Sequence, residues 1–213
     1  MSKKKENCGN EKLIPKNEWV SADEIQGEDE TKILQHPILE RCFQKINQEF
    51  NPKHKIAFVS MCTVTRPYRN SHKFKVFFDR GYNKNADVIV GSSEGIVPEE
   101  YWESYPYMTY NTHERGKKNL VYINTLYNRF MDFFSKHHYD IIVFNYRPSL
   151  INRISAEKFK ENYKGNSEIY ILPTIETWEN LKKYWKENKK TINYFPDLEP
   201  MVLKELDEVL LDK

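Results

Sequence analysis

Hydrophobic positions along the chain fall into two patterns. Short, mostly apolar runs occur at Ile56 to Val59, Ala86 to Val90, Asp140 to Phe144 and Glu168 to Leu172. Runs this short, rich in β-branched and aromatic residues, read as strands buried on both faces. Between them the apolar residues recur every three or four positions. Leu39, Cys42, Phe43, Ile46 and Phe50 make one helical face within Thr31 to Phe50, with Pro37 suited to the first turn and Asn51-Pro52 ending it. Leu120, Ile123, Tyr127, Phe130 and Phe134 form a second stripe within Asn119 to His137. Further helices are expected over Ser155–Tyr163, Ile175–Asn188 and Asp197–Leu211. His72 to Arg80 (HKFKVFFDR) alternates basic and apolar residues; a short amphipathic helix with its basic residues on the open face is the first choice and an edge strand the second. The stretch GSSEGIVPEEYWESYPY from Gly91 reads as a loop, with a short helix over Glu99 to Ser104.

Strands alternating with helices imply a parallel sheet covered on both faces, with right-handed crossovers. The expected fold is therefore α/β: a three-layer α/β/α sandwich on a roughly four-stranded parallel sheet. Residues 31–173 make the core domain and residues 174–213 C-terminal helices packed on it. Residues 1–30 are polar and patternless, and are expected to be mostly disordered or loosely attached, with Trp19 and Val20 as local anchors.

Composition narrows the class. A chain of 213 residues with a net charge of +2 has no global basic excess, so a nucleic-acid surface would need local clusters of Lys and Arg. Seven glycines leave little room for a Gly-rich phosphate loop. The three cysteines, Cys8, Cys42 and Cys62, are far apart and show no zinc or disulfide spacing, so reduced thiols and a cytoplasmic location are expected, with no metal and no cofactor. The Lys-rich N-terminus has no apolar stretch behind it, so no signal peptide is expected, and no run is long enough to span a membrane.

Candidate chemistry gathers where the first strand ends, in KIAFVSMCTVTRPYRNSH (Lys55 to His72). In open α/β sheets ligands bind beyond the carboxyl ends of the strands. Cys62 is either a small buried hydrophobe or a crevice thiol activated by Arg66, Arg69 and His72. Arg66, Arg69, His72, Lys73 and Lys75 make either a solvated face or a phosphate-binding patch in which Tyr68 stacks on a base. Ser92, Ser93 and Gly95 form a small-residue turn that a ligand could approach closely, or an ordinary connection. Tyr105, Tyr107, Tyr110, Asn111 and His113 are packing residues or a stacking wall, while Glu94, Glu99, Glu100 and Glu103 read as surface charge.

Two ordered blocks also resemble a known family. Cys62-Thr-Val-Thr-Arg66-Pro67-Tyr68-Arg-Asn-Ser71-His72 is similar to the archaeosine synthase core signature of Pro-Cys, three residues, Lys-Pro-Tyr, two residues, Ser, then His. Gly91 to Glu100, followed by Tyr105-Pro106 and Tyr110-Asn111, is similar to that family's second block. The resemblance covers about Lys55 to Pro148. It implies a uracil-DNA glycosylase-like α/β/α fold and a role in archaeal tRNA modification, in which a transferase attaches lysine to the nitrile of a cyano-deazaguanine base. It puts Cys62, Ser71, His72 and Asn111 in catalytic places, and Arg66, Pro67, Tyr68, Gly95 and Tyr105 in substrate-binding ones; Arg69, Ser92, Ser93 and Tyr110 join the substrate-binding set from the reading of the residues themselves. The implied partners are tRNA or a modified nucleoside, free lysine, and a protein that supplies RNA binding, since full-length relatives carry an RNA-binding domain. Met61 stands where the family has Pro, Arg66 where it has Lys, and Asn111 where it has Asp. The alternative is a non-catalytic nucleic-acid-binding or assembly subunit on the same scaffold.

Overall fold

A computed structural model describes residues 9–26, 30–108, 119–189 and 195–213. The helices are α1 (Ala22–Gln26), α2 (Pro37–Glu49), α3 (His72–Asp79), α4 (Tyr82–Asn85), α5 (Leu120–Lys136), α6 (Ile151–Asn162), α7 (Ile175–Glu187) and α8 (Pro200–Leu210). The strands are β1 (Ile56–Ser60), β2 (Ala86–Ser92), β3 (Gly95–Pro98), β4 (Ile141–Asn145) and β5 (Glu168–Leu172). They form one sheet in the order β3-β2-β1-β4-β5. The four expected strands are all parallel, with the apolar β1 at the centre.

The fifth strand departs from the expected loop. Gly95 to Pro98 folds back antiparallel onto Ile89 to Ser92, so the sheet gains an edge strand. Its signal was only the Ile96-Val97 pair behind Gly95, whose φ of 103° lets the chain reverse after Ser93-Glu94. That hairpin shortens the loop and carries Glu94 into the interior, as described below.

Register assigns the two faces. Phe58 points to one side, edge-on to Phe77 of α3 at 5.1 Å and Tyr82 of α4 at 5.6 Å. Phe144 points to the other, 5.0 Å from Phe130 of α5 and 5.6 Å from Phe159 of α6. Helices on both faces give the α/β/α arrangement. The α5 stripe packs as expected from Ile123 onward, but Leu120, at the first position of the helix, is 72% exposed. α8 is tied to the α3–α4 side where Asp207 accepts from Tyr82 Oη at 2.8 Å and pairs with Arg80.

Residues 9–26 of the N-terminal segment are better ordered than their polarity suggests. Leu13, Ile14 and Ile25 are buried, and Trp19 stacks on Tyr105 with ring centroids 4.6 Å apart. The Tyr105 hydroxyl accepts from Val20 N at 2.9 Å and donates to Val20 O at 3.0 Å. A few large anchors thus hold a segment whose overall composition lacks hydrophobic periodicity.

Gly91 sits where β2 meets α5. A Cβ there would lie 2.4 Å from Tyr146 Oη and 2.8 Å from Val59 Cγ1, and the Gly91 carbonyl accepts from Tyr146 Oη at 2.6 Å. Gly91→Ala is expected to lower unfolding free energy by about 1–3 kcal/mol in urea titration, through overpacking; an unchanged midpoint would mean that Tyr146 moves aside freely.

Candidate functional site

The register that orders the sheet also groups polar groups at its carboxyl end. Ser60 on β1 pairs in parallel with Val90 and Asn145, so these side chains share the α3 face. Beyond them the chain leaves β1 through Met61 and Cys62. A cleft of about 300 Å³ opens here, lined by the loop from Met61 to Thr65, by Ser71 and Lys73, by Arg147 and by Asp197.

Lys73 is the most unusual of these groups. Ser71 caps α3 by accepting from Phe74 N at 3.3 Å, which starts the helix so that Lys73 turns inward. Only 2% of Lys73 is exposed. Its Nζ donates to Met61 O at 2.7 Å and Ser60 Oγ at 3.3 Å, and stands 3.9 Å from Asp197 Oδ2. Burial lowers its pKa, against the opposing pull of Asp197 and Cys62. The expected open basic face of this helix therefore holds for Lys75 and fails for Lys73.

Cys62 is half-buried beside Ser92, Glu94, Arg66 and Lys73. Burial pushes its thiol above the ordinary range and Glu94 adds to the rise; Ser92, Arg66 and Lys73 offset part of it. The thiol is held protonated, contrary to the activated thiolate that flanking arginines suggest. The reason is that Arg66 is already taken. Its guanidinium pairs with Glu94, hydrogen-bonds the Thr63 carbonyl and lies 4.2 Å from the Tyr68 ring centre.

Glu94, expected at the surface, is fully buried. Burial raises its carboxyl pKa and Arg66 pulls it back. Its Oε2 has no partner among the described residues. Asn145 is also fully buried, with neither amide atom hydrogen-bonded among the described residues. An amide in that state offers a donor and an acceptor side by side.

Of the candidates from sequence, the structure brings Cys62, Arg66, Ser71 and Ser92 together, with Ser93 buried in the adjoining turn and Gly95 just after it. It separates others. Tyr68 is fully buried, edge-on to Trp102 at 5.4 Å and covered by Arg66, so its ring is unavailable to a base. Pro67 lies in the turn between these two residues. Arg69 faces Glu99 at 3.8 Å and Glu103 at 3.5 Å in a separate groove with Lys53 and Asp87. His72 is exposed and lies outside the cleft lining, its ring 6.0 Å from Phe195. Tyr105 is occupied with Val20. Tyr110 and Asn111, with His113, lie outside the described residues. Glu94, Arg147 and Asp197 are the additions, and Lys73, expected on a solvated face or in a phosphate-binding patch, is buried at the cleft instead. Arg147 had a signal, its place at the carboxyl end of DIIVF; Asp197 is distant in sequence and had none.

Among the described residues no group of three or more His, Cys, Asp and Glu could hold a metal ion, and no helix is long and apolar enough to cross a membrane. A family model described as a domain of unknown function, DUF5591, matches residues 39–177. A solved structure, the crystal structure of AF0587, a protein of unknown function, aligns with a TM-score of 0.50 at 15% identity. The alignment covers 78% of this chain and 55% of that one, so the likeness concerns the fold and about half of that protein's length. No curated protein matches.

Cys62 should alkylate with iodoacetamide at about a tenth or less of the rate of glutathione near pH 8, the rate still climbing above pH 9, because burial leaves little thiolate. Peptide mass mapping separates Cys62 from the other thiols. A rate that levels off below pH 8 would contradict this electrostatic account.

Proposed function

This chain belongs to the DUF5591 family, and we propose that it is a tRNA-modifying transferase that adds an amine of lysine to the nitrile of a cyano-deazaguanine base. The observation that carries the reading is the meeting of its two sequence blocks. Cys62, which lines the cleft beyond the carboxyl ends of the parallel strands, stands beside Ser92, and Arg66, four residues on, is ion-paired with buried Glu94. Each of these pairs joins a residue of the first block to one of the second.

The reaction asks for little covalent machinery. The amine nitrogen bonds to the nitrile carbon, a π electron pair moves onto the nitrile nitrogen, and a proton passes from amine to nitrogen, giving an amidine with no leaving group. What it needs is a proton donor near the nitrile nitrogen and an acceptor near the amine. In this reading the protonated Cys62 thiol is the donor. Lys73, whose amine burial moves toward the neutral form, is the acceptor. Arg66 is engaged with Glu94, Thr63 and the Tyr68 ring, so in this reading contacts to the tRNA backbone come from elsewhere on the chain or from a partner protein.

The test is incubation of the purified chain, alone and with proteins that co-purify with it, with L-lysine and tRNA carrying cyano-deazaguanine. Nucleoside mass spectrometry should find a product heavier by the whole mass of lysine, formed about 100-fold more slowly by Cys62→Ala. Absence of that product in every mixture would remove the transferase reading.

A further inference from the structure

The sheet has two edges, and the fold closes one of them. β3, at one edge, is buried at every residue. β5, at the other, is not: Glu168 is exposed, and Ile169, Tyr170 and Ile171 are half-buried. No strand among the described residues pairs with its outer side. The ladder shows which peptide groups that leaves open. Glu168 N donates to Asp140 O at 2.9 Å, and Leu172 O accepts from Tyr146 N at 2.8 Å. Along a strand the N–H and C=O of one residue point the same way, and those of the next point oppositely. Glu168, Tyr170 and Leu172 are therefore turned toward β4, and Ile169 and Ile171 present their donors and acceptors outward. Pro173, with no N–H, ends the row.

Free edges of this kind are usually guarded by a Lys, a Pro or a bulge within the strand. Ile169-Tyr170-Ile171 holds none of them. Its order also reads the same in both directions. An antiparallel neighbour of identical sequence, centred on Tyr170, sets each Ile169 opposite the other copy's Ile171. Those are the residues with outward peptide groups, so each such pair exchanges two N–H···O bonds, and Tyr170 meets its counterpart at the axis. Charge favours the same arrangement. Lys213 Nζ pairs with Glu168 at 2.7 Å and stands over the Tyr170 ring, 4.6 Å from its centre. That charged pair sits at the amino end of the strand. Antiparallel pairing keeps the two Glu168 carboxylates at opposite ends and brings each Lys213 beside a second tyrosine ring. A parallel neighbour in register would set the carboxylates side by side.

We propose that β5 is the contact through which two copies of this chain pair, joining their sheets edge to edge about a two-fold axis at Tyr170. The parallel strands of the two copies then run in opposite directions. The clefts at their carboxyl ends therefore open at opposite ends of the joined sheet, and each copy takes its ligand independently. The pairing does not rest on the transferase reading.

The test is amide hydrogen exchange by NMR on the full chain at about 20 μM and about 1 mM, beside sedimentation equilibrium over the same range. A dimer should form, and the amides of Ile169 and Ile171 should exchange at least about tenfold more slowly at the higher concentration. Those of Tyr170 and Leu172, already bonded to β4, should be slow at both. Tyr170→Lys and Tyr170→Glu each put like charges directly opposite at the axis, so either alone should be monomeric and an equimolar mixture should dimerise. The exchange pattern of the unaltered chain decides the matter if a variant misfolds. A monomer at about 1 mM would overturn the proposal. So would a dimer in which Ile169 and Ile171 still exchange fast, open-ended growth into filaments, or a mixture of the two folded variants that stays monomeric.

Discussion

The site depends on one buried ion pair, Arg66 with Glu94. A carboxylate and a guanidinium taken out of water lose hydration that their attraction repays only when the geometry is good and other hydrogen bonds help. Here Arg66 has three supports: the Glu94 carboxylate, the Thr63 carbonyl and the face of Tyr68. The pair bolts the loop after β1 to the turn between β2 and β3. It therefore fixes how far Cys62 stands from Ser92 and Glu94, and the electrostatic state of the thiol follows from that placement. The arginine that sequence alone offers as a phosphate ligand is spent on architecture.

Much of the scaffold was legible because its signals are local. Each of the four parallel strands is a short, mostly apolar run, and each long helix shows its stripe. β3 was not, since four residues ending in proline cannot be told from a loop; only its pairing with β2 makes it a strand. The site was half legible. Cys62, Arg66, Ser71 and Ser92 could be found because a strand end carrying polar residues is a position with meaning. Glu94, read as surface charge, and Lys73, read as part of a solvated face or a phosphate-binding patch, were placed in the open for one shared reason: a charged residue is presumed solvated until a partner is seen, and their partners, Arg66 and Asp197, are 28 and 124 positions away. Tyr68 and Tyr105 failed in the opposite sense. Aromatic rings next to polar residues suggested stacking walls, and both proved to be packing residues whose faces are already covered.

The cleft is therefore assembled from distant pieces: the loop after β1, the start of α3, the residue past β4 and the turn before α8. Such a site holds its shape only if the outer elements are anchored. α8 is fastened through Asp207 to Tyr82 and Arg80, and Asp197 reaches Lys73 directly. The C-terminal segment, which reads in sequence as one more covering helix, thereby supplies a wall and a charge to the cleft.

The most direct measurement on this account is a double-mutant cycle at Arg66 and Glu94, read as unfolding free energy in urea. Breaking a buried pair from one side leaves an uncompensated charge, so Arg66→Met and Glu94→Leu alone should each cost about 3–5 kcal/mol, and the two together less than either. Losses that simply add would show that the two residues do not meet, and the junction of the two loops would have no basis.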